Sequence, residues 1–328
     1  MKQIDLVRMS GKLKDGWATR DVTVLLADLR GFSAIVDSNA GRKVVEVLNR
    51  YLVRMCEIAD VNGGTIDKFI GDSVMLIFNA PIHQGHHARH AVTCAVQMQL
   101  AMEGINRENA SGGFSPLYMG VGINSGRAMA GPLGPPFHVE YTVLGDNVNV
   151  ASRIESFSLR GQVLIGEATF KQCDGFVTTK APMDIFVKGK SKPVRVREVL
   201  GIPSLGLSVP RRTRRESPRV EAKIPFTYHL VVDKIVLPKK RHGMIRDIGY
   251  QGVLAEVSHG LKERSDLRLD FDLSLIGREE HDIYGKVCKV KHEAGVRRAG
   301  IAFTSTSRQT EKDLRYFVQL LMQGSLKK

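Results

Sequence analysis

Two aspartates stand where hard-metal chemistry would need them. Asp28 closes an apolar, strand-like run and leads into Leu29-Arg-Gly-Phe-Ser33, while Asp72 sits at the tip of a hairpin signal in Lys68-Phe-Ile-Gly-Asp72. If those strands are neighbours, both carboxylates come to one edge of a sheet. Paired oxygen ligands without nearby Cys or His suit Mg2+ or Mn2+. Two such ions can lower the pKa of an attacking hydroxyl and neutralise a leaving pyrophosphate. An Asp beside a Gly is also an ordinary turn residue, and the residues around each aspartate are what favour a metal. Asn149 and Arg153 are four apart and therefore share one helical face. Farther on, Arg215-Glu-Ser-Pro-Arg219 precedes Asp247-Ile-Gly-Tyr-Gln-Gly252. Arginines on a flexible lead can swing over an anion and grip phosphate or a guanine edge in a forked geometry. A carboxylate in the turn can accept from guanine N–H groups, and Gly252 permits close backbone approach.

The elements that must position these groups alternate before residue 201. Val22–Asp28 reads as a buried strand. Lys43–Val61 has helical periodicity, Thr65–Ile70 and Ser73–Phe78 flank the Gly71-Asp72 turn, and His86–Met102 is again helical. Leu117–Ile123 returns to strand, Asn147–Phe157 reads as a helix, and further strands are expected between Val163 and Val199. The order is β-α-β-β-α-β, so the expected fold class is α+β with a ferredoxin-like core. Gly201-Ile-Pro-Ser-Leu-Gly-Leu-Ser-Val-Pro210 reads as a linker, giving domains over 20–200 and 211–328. The second carries short strands (Phe226–Val236, Met244–Ile248, Gly252–Val257, Leu267–Phe271, Ile283–Val290, Ala299–Phe303) and a closing helix over Gln309–Met322. These predict a small six-stranded-type β-barrel with a C-terminal helix.

The chain has 328 residues, 43% hydrophobic and 25% charged, which excludes disordered and collagen-like classes. The longest apolar run, Val74–Phe78, is far short of the ~20 residues a membrane span needs. Residues 1–20 carry five cations and no apolar stretch, so no secretory signal is expected. Cys56, Cys94, Cys173 and Cys288 form no close pair, which favours reduced thiols and a soluble, cytoplasmic protein. The formal net charge is +14, and residues 211–328 hold 25 basic against 15 acidic residues. That balance favours anionic ligands without choosing among nucleic acid, a membrane surface and a small phosphorylated molecule.

Asp28-Leu-Arg-Gly-Phe-Ser33, Lys68-Phe-Ile-Gly-Asp-Ser-Val-Met75 and Tyr141-Thr-Val-Leu-Gly-Asp-Asn-Val-Asn-Val-Ala-Ser-Arg153 follow one another in that order. Together they resemble the catalytic domain of class III nucleotidyl cyclases over roughly residues 20–200. The resemblance implies that Asp28 and Asp72 are ligands of two Mg2+ or Mn2+ ions per active site. It implies that Lys68 and Thr142 read the base; Lys with Asp or Thr is typical of adenylyl cyclases, Glu with Cys of guanylyl cyclases. Lysine donates to an acceptor on adenine and a threonine hydroxyl can pair with the exocyclic amine, so ATP is the expected substrate. Asn149 and Arg153 resemble the pair that orients the ribose and stabilises charge on the transferring phosphoryl group. Lys188 resembles the lysine that meets the triphosphate, with Lys190 as the alternative. In this family the aspartates come from one subunit and the remaining groups from the other, so a homodimer with two equivalent sites is implied.

The later pair of motifs resembles the PilZ domain over about residues 211–322. Arg215, Arg219, Asp247 and Gly252 match its cyclic di-GMP-binding positions, whereas Gly249 stands where the pattern has Ser. The expected function is a homodimeric adenylyl cyclase regulated by cyclic di-GMP. Guanylyl cyclase activity is disfavoured by Lys68 and Thr142. A non-catalytic cyclic di-GMP receptor on a cyclase scaffold is disfavoured by the intact catalytic set, and nucleic-acid binding by the +10 domain is the least favoured. His83, His86, His87 and His90 have zinc-like helical spacing but read better as a polar helix entrance after Pro81. Gly126–Gly134 lacks the Lys-Ser/Thr of a phosphate loop and reads as a flexible connection. Trp17 precedes the domain, docked on it or held for a partner.

Overall fold

A computed structural model describes residues 16–30, 32, 41–114, 116–135, 137, 139–186, 193–210, 218–233, 235–257, 261–293 and 296–325. The chain divides into two compact units, Met1–Arg214 and Arg215–Lys328. Among the described residues, no helix is long and apolar enough to cross a membrane.

The first unit begins with β1 (Ala18–Arg30), α1 (Gly41–Val61), β2 (Thr65–Ile70), β3 (Ser73–Phe78), α2 (His87–Ser111) and β4 (Tyr118–Leu133). It continues with β5 (Glu140–Leu144), α3 (Asp146–Phe157), β6 (Val163–Gly166), α4 (Glu167–Gln172), β7 (Thr178–Thr179), β8 (Met183–Ile185), β9 (Val194–Ile202) and β10 (Leu207–Ser208). The sheet order is β10-β9-β6-β4-β1-β3-β2, so the first four strands stand in the ferredoxin-like order β4-β1-β3-β2. The central strand β1 is buried on both faces, which is why it reads as an unbroken apolar run. Leu25, Ala27 and Leu29 join Val47, Tyr51, Met55, Ala91 and Ala95 of α1 and α2 in one core. Val22, Val24 and Leu26 join Tyr141, Val143 and Ala151 in a second core under β5 and α3.

Two sequence expectations are corrected here. Gly126–Gly134 is not a flexible connection over most of its length: through Leu133 it is the second half of β4, pairing with both β1 and β5. Its glycines serve contact rather than mobility, since a methyl at Gly131 would lie 2.7 Å from the Trp17 ring, which therefore docks on this unit. Residues 201–210 are not a free linker either. Ile202 is fully buried, Leu207 and Ser208 pair back onto Ile202 and Gly201, and Val209 packs against the core. The Gly and Pro there shape a tight return, not a tether.

The second unit contains β11 (Arg219–Val232), β12 (Ile235–Val236), β13 (Arg241–Gly249), β14 (Gly252–Val257), β15 (Asp266–Leu273), β16 (Arg278–Glu293), β17 (Val296–Ser305) and α5 (Arg308–Ser325). Strand pairs run β11-β13-β14-β17-β16-β15, and β15 pairs again with β11, which closes a six-stranded barrel. The single stretch expected over Phe226–Val236 breaks at Asp233, where φ is 50°, and β12 folds back on Val231 and Val232. Phe226, Tyr228, Ile245, Leu269, Phe271 and Ile301 fill the barrel with Leu314, Phe317 and Val318 of α5. Burying three such side chains contributes roughly 5–9 kcal/mol toward holding the helix.

Candidate active site

The β1–β3 register pairs Ala27 with Val74, so Asp28 stands beside Ser73, the first residue after the turn that carries Asp72. Ser73 Oγ donates to Asp28 Oδ1. Burial, then the Asp28 charge, holds the Asp72 carboxyl above the usual carboxylate range. A carboxylate held up by a second carboxylate beside it is stabilised by a cation, and the hard oxygens of Asp28 and Asp72 fit Mg2+ or Mn2+.

Arg30, two residues along the same strand face, was not singled out from sequence. Its Nη1 donates to Asp28 Oδ2 at 2.6 Å, and its Nη2 reaches the Glu155 side chain, the Glu155 carbonyl at 2.7 Å and Ser158 Oγ at 2.9 Å. One guanidinium thus ties the carboxylate end of β1 to the C-terminal turn of α3. The Asp-x-Arg spacing was the available signal; its partner on α3 was not.

Burial pushes the Glu155 carboxyl up to about 7, with Arg30 opposing. The unfolded chain loses that proton near 4.5, so between about 4.5 and about 7 it binds fewer protons than the folded chain. Stability should therefore fall as pH rises through that window. Glu155→Gln removes the titration and keeps an acceptor for Arg30, so its urea midpoint should vary less with pH than the wild type's. Parallel pH profiles for the two proteins would refute the assignment.

Lys68 lies in β2 opposite Met75, and Thr142 in β5 opposite Gly131. The strands are not neighbours, yet Lys68 Nζ donates to Thr142 Oγ1 at 3.2 Å. Tyr141 and Val143 pack over the sheet face that includes Met75, which brings Thr142 across to the lysine.

Asn149 and Arg153 lie one turn apart on α3, Asn149 exposed and Arg153 half-buried. The helix starts without a side-chain cap. Buried Asn147 anchors its first turn instead, accepting from Asn124 Nδ2 at 2.6 Å and donating to the carbonyls of Gly126 at 3.2 Å and Val22 at 3.4 Å. At the C-terminal turn of α3, Gly122 of β4 lets the helix backbone rest directly on the sheet. Among the described residues, no hydrogen bond or ion pair joins the aspartates, the Lys68–Thr142 pair and the Asn149–Arg153 face directly. Lys188 and its alternative Lys190 lie outside the described residues.

The histidine cluster does not converge. His87 is buried with Nδ1 2.7 Å from Thr23 Oγ1, whereas His83, His86 and His90 are exposed. No group of three or more His, Cys, Asp or Glu is placed to hold a metal among the described residues.

In the barrel unit, Arg219 opens β11 opposite Gly249, and its Nη1 donates to Asp247 Oδ1 at 2.9 Å. The close approach at Gly252 is made by the Ile301 carbonyl, 2.3 Å from where a Cβ would stand. Arg215 lies outside the described residues.

Comparison with known proteins gives the same two units. The family model for the adenylate and guanylate cyclase catalytic domain matches residues 17–197, and that for the PilZ domain matches residues 213–320. Adenylate cyclase 1 of Rhizobium meliloti is 32% identical over 56% of this chain and 28% of its own length. The adenylate cyclase of Anabaena cylindrica is 31% identical over 56% of this chain and 37% of its own. The chain therefore spans well under half of either relative. Among solved structures, the guanylyl cyclase Cya2 aligns with a TM-score of 0.58 at 36% identity, covering 60% of this chain and 100% of that one. The adenylyl cyclase CyaB from P. aeruginosa aligns with a TM-score of 0.55 at 35% identity, covering 56% and 95%.

Proposed function

The chain belongs to the adenylate and guanylate cyclase catalytic-domain family, and from that premise we propose that it is an adenylyl cyclase whose PilZ domain responds to cyclic di-GMP. The overall likeness extends to structures of both guanylyl and adenylyl cyclases, so the base rests on residues. The Lys68–Thr142 contact carries the reading: an ammonium and a hydroxyl complement adenine, and no carboxylate stands in either position to accept from guanine.

The reaction is attack of the ribose 3′-oxygen of ATP on its α-phosphorus, forming the cyclic ester and releasing pyrophosphate. Asp28 and Asp72 would hold two Mg2+ or Mn2+ ions, which when bound would supply acidification of the attacking hydroxyl and neutralisation of the departing charge. Lys68 and Thr142 hold the base. Asn149 orients the ribose and Arg153, permanently charged, stabilises the phosphoryl oxygens. Lys188 meets the triphosphate. In the family it resembles, the aspartates come from one subunit and the nucleotide-reading groups from the other, so the reading includes a homodimer with two shared sites. Chromatography of products from ATP and from GTP, with Mn2+ or Mg2+, tests the reading. Cyclic AMP from ATP is expected; no cyclic product from either nucleotide would defeat it.

At the barrel, Arg219 and Asp247 already face each other, and an entering guanine base would take the carboxylate while the guanidinium turns to phosphate. Gly249 in place of Ser forfeits one hydrogen bond, about 0.5–1.5 kcal/mol, or roughly tenfold in affinity at most. Saturable cyclic di-GMP binding is expected in calorimetry, with Arg219→Ala weakening it at least about tenfold. An isotherm that stays flat to high micromolar ligand would remove the regulatory half of the proposal. For regulation, the ligand must prefer one arrangement of the dimer over another.

A further inference from the structure

A helix ends in carbonyls that its own backbone cannot satisfy, at the negative end of its dipole, and a cation there is stabilising. Helix α3 has no basic residue in its own last turn. The cation comes from β1. Arg30 Nη2 donates to the Glu155 carbonyl at 2.7 Å and to Ser158 Oγ at 2.9 Å, and it also reaches the Glu155 side chain. Arg30 Nε donates to the Ser158 carbonyl at 3.2 Å. Ser158 closes the turn, its backbone N–H and its hydroxyl donating to the Glu155 carbonyl at 2.8 and 2.6 Å. The other arm of the same guanidinium, Nη1, donates to Asp28 Oδ2 at 2.6 Å. The Asp28 and Glu155 side chains are 22% and 12% exposed, so solvent screens these contacts little.

The neighbouring strand makes room for this arrangement. Gly120 of β4 pairs with Asp28, and a Cβ on it would stand 2.6 Å from Arg30 Nη2. The chemistry also asks for arginine. A guanidinium holds its donors in a rigid fork that can serve several acceptors at once, whereas the donors of lysine radiate from one nitrogen. Glu155 lies two residues past Arg153, about 3 Å along the helix axis, so a shift of the last turn is a shift of Arg153. Within one chain, Arg30 therefore fixes the spacing between Asp28 and α3. In a shared-site dimer those two ends serve different sites.

We infer that Arg30 is a positioning residue with two roles: it orients Asp28 in one active site and seats α3, with Asn149 and Arg153, in the other. This rests on the shared-site dimer proposed above and adds to it the side chain that joins the two sites. Arg30 acts on the nucleotide only through Asp28 and α3.

Mixed dimers, purified through a different affinity tag on each chain, provide the test. When the first chain carries Asp72→Ala and the second Arg153→Ala, the one intact site takes its Asn149 and Arg153 from the first and its aspartates from the second. Arg30→Lys, which keeps the charge and loses the fork, is then added to one chain or the other. In the first chain it can reach the intact site only through α3, and in the second only through Asp28. Cyclic AMP formation per mixed dimer should fall about tenfold or more in each case, as expected when reacting groups lose their alignment. Hydrogen exchange of the Arg30→Lys homodimer gives a second readout, without turnover. The amides of Phe157 and Ser158 should exchange about tenfold faster while those of α2 keep their protection. If the lysine variant does not fold, Ser158→Ala takes its place; it removes an acceptor on α3, leaves the Asp28 contact, and should slow the intact site severalfold from the first chain only.

No loss, or a loss confined to one placement of Arg30→Lys, overturns the inference and leaves the shared-site reading standing. Unchanged exchange at the end of α3 overturns it as well, and so does exchange that rises equally in α2, the mark of a general loss of stability. A mixed dimer of Asp72→Ala and Arg153→Ala with no recovered activity overturns the shared-site reading and the inference together.

Discussion

A one-to-one mixture of Asp72→Ala and Arg153→Ala chains is expected to recover about a quarter of the wild-type rate of cyclic AMP formation, although either variant alone is down on the order of 10²–10³-fold. The loss in each homodimer follows from chemistry. Removing Asp72 takes away one of the two carboxylates beside β1. Removing Arg153 takes away the cation proposed for the phosphoryl oxygens. The recovery follows from symmetry. In a two-fold dimer with shared sites, a mixed pair places both defects in one site and none in the other. Random exchange makes about half the dimers mixed, each with one working site of two. Mixing after mild dissociation, with chromatographic proof that mixed dimers formed, is the measurement. A mixture no more active than its parents would place both sets of residues in a single chain's site and end the shared-site reading.

Gly122→Ala should cost about 3 kcal/mol of stability and lower the melting temperature of the first unit by roughly 10 °C. A Cβ on Gly122 would stand 2.1 Å from the Glu155 backbone nitrogen and 2.4 Å from its Cα. A side chain could rotate away from such a clash, but a helix backbone must move as a body, so α3 has to lift from β4. Asn149, Arg153 and the Glu155–Arg30 tie move with it. Activity should therefore fall even at temperatures where circular dichroism shows a folded chain. Gly104→Ala is the control: it lies within α2 with nothing within 4 Å of the added methyl, and the substitution should stabilise by up to about 1 kcal/mol. Melting of Gly122→Ala within a degree or two of wild type would mean that α3 does not rest on β4 in this way.

The two substitutions differ in how visible they were from sequence. Asp72 stands in a hairpin signal between two apolar strands, and its pairing with Asp28 follows from strand order alone. Gly122, inside Met119-Gly-Val-Gly-Ile123, carries no mark that separates it from Gly120 two residues earlier. Only the place where α3 crosses the strand distinguishes them.

The misread segments show a related limit. Gly126–Gly134 and Gly201–Pro210 have loop-like composition because Gly and Pro deny a strand its usual local preferences. Both are nonetheless held by residues outside them, Gly131 pairing with Thr142 and admitting Trp17, Gly201 pairing with Thr178 while Leu207 returns onto Ile202. Composition reports what a segment would do alone, and neither segment is alone.

What the sequence by itself determined is whatever depends on near neighbours in the chain. Apolar periodicity set the strands and helices of both units, and the three cyclase-like motifs placed Asp28, Asp72, Lys68, Thr142, Asn149 and Arg153 on them. Tertiary structure alone decided what those residues touch. Arg30 gained meaning from Glu155, 125 residues away, and Gly122 from the turn of α3 that lies against it. The reason is physical: a hydrogen bond or an ion pair acts over about 3 Å of space, and which groups come that close is set by strand register and helix packing, to which no local spacing refers.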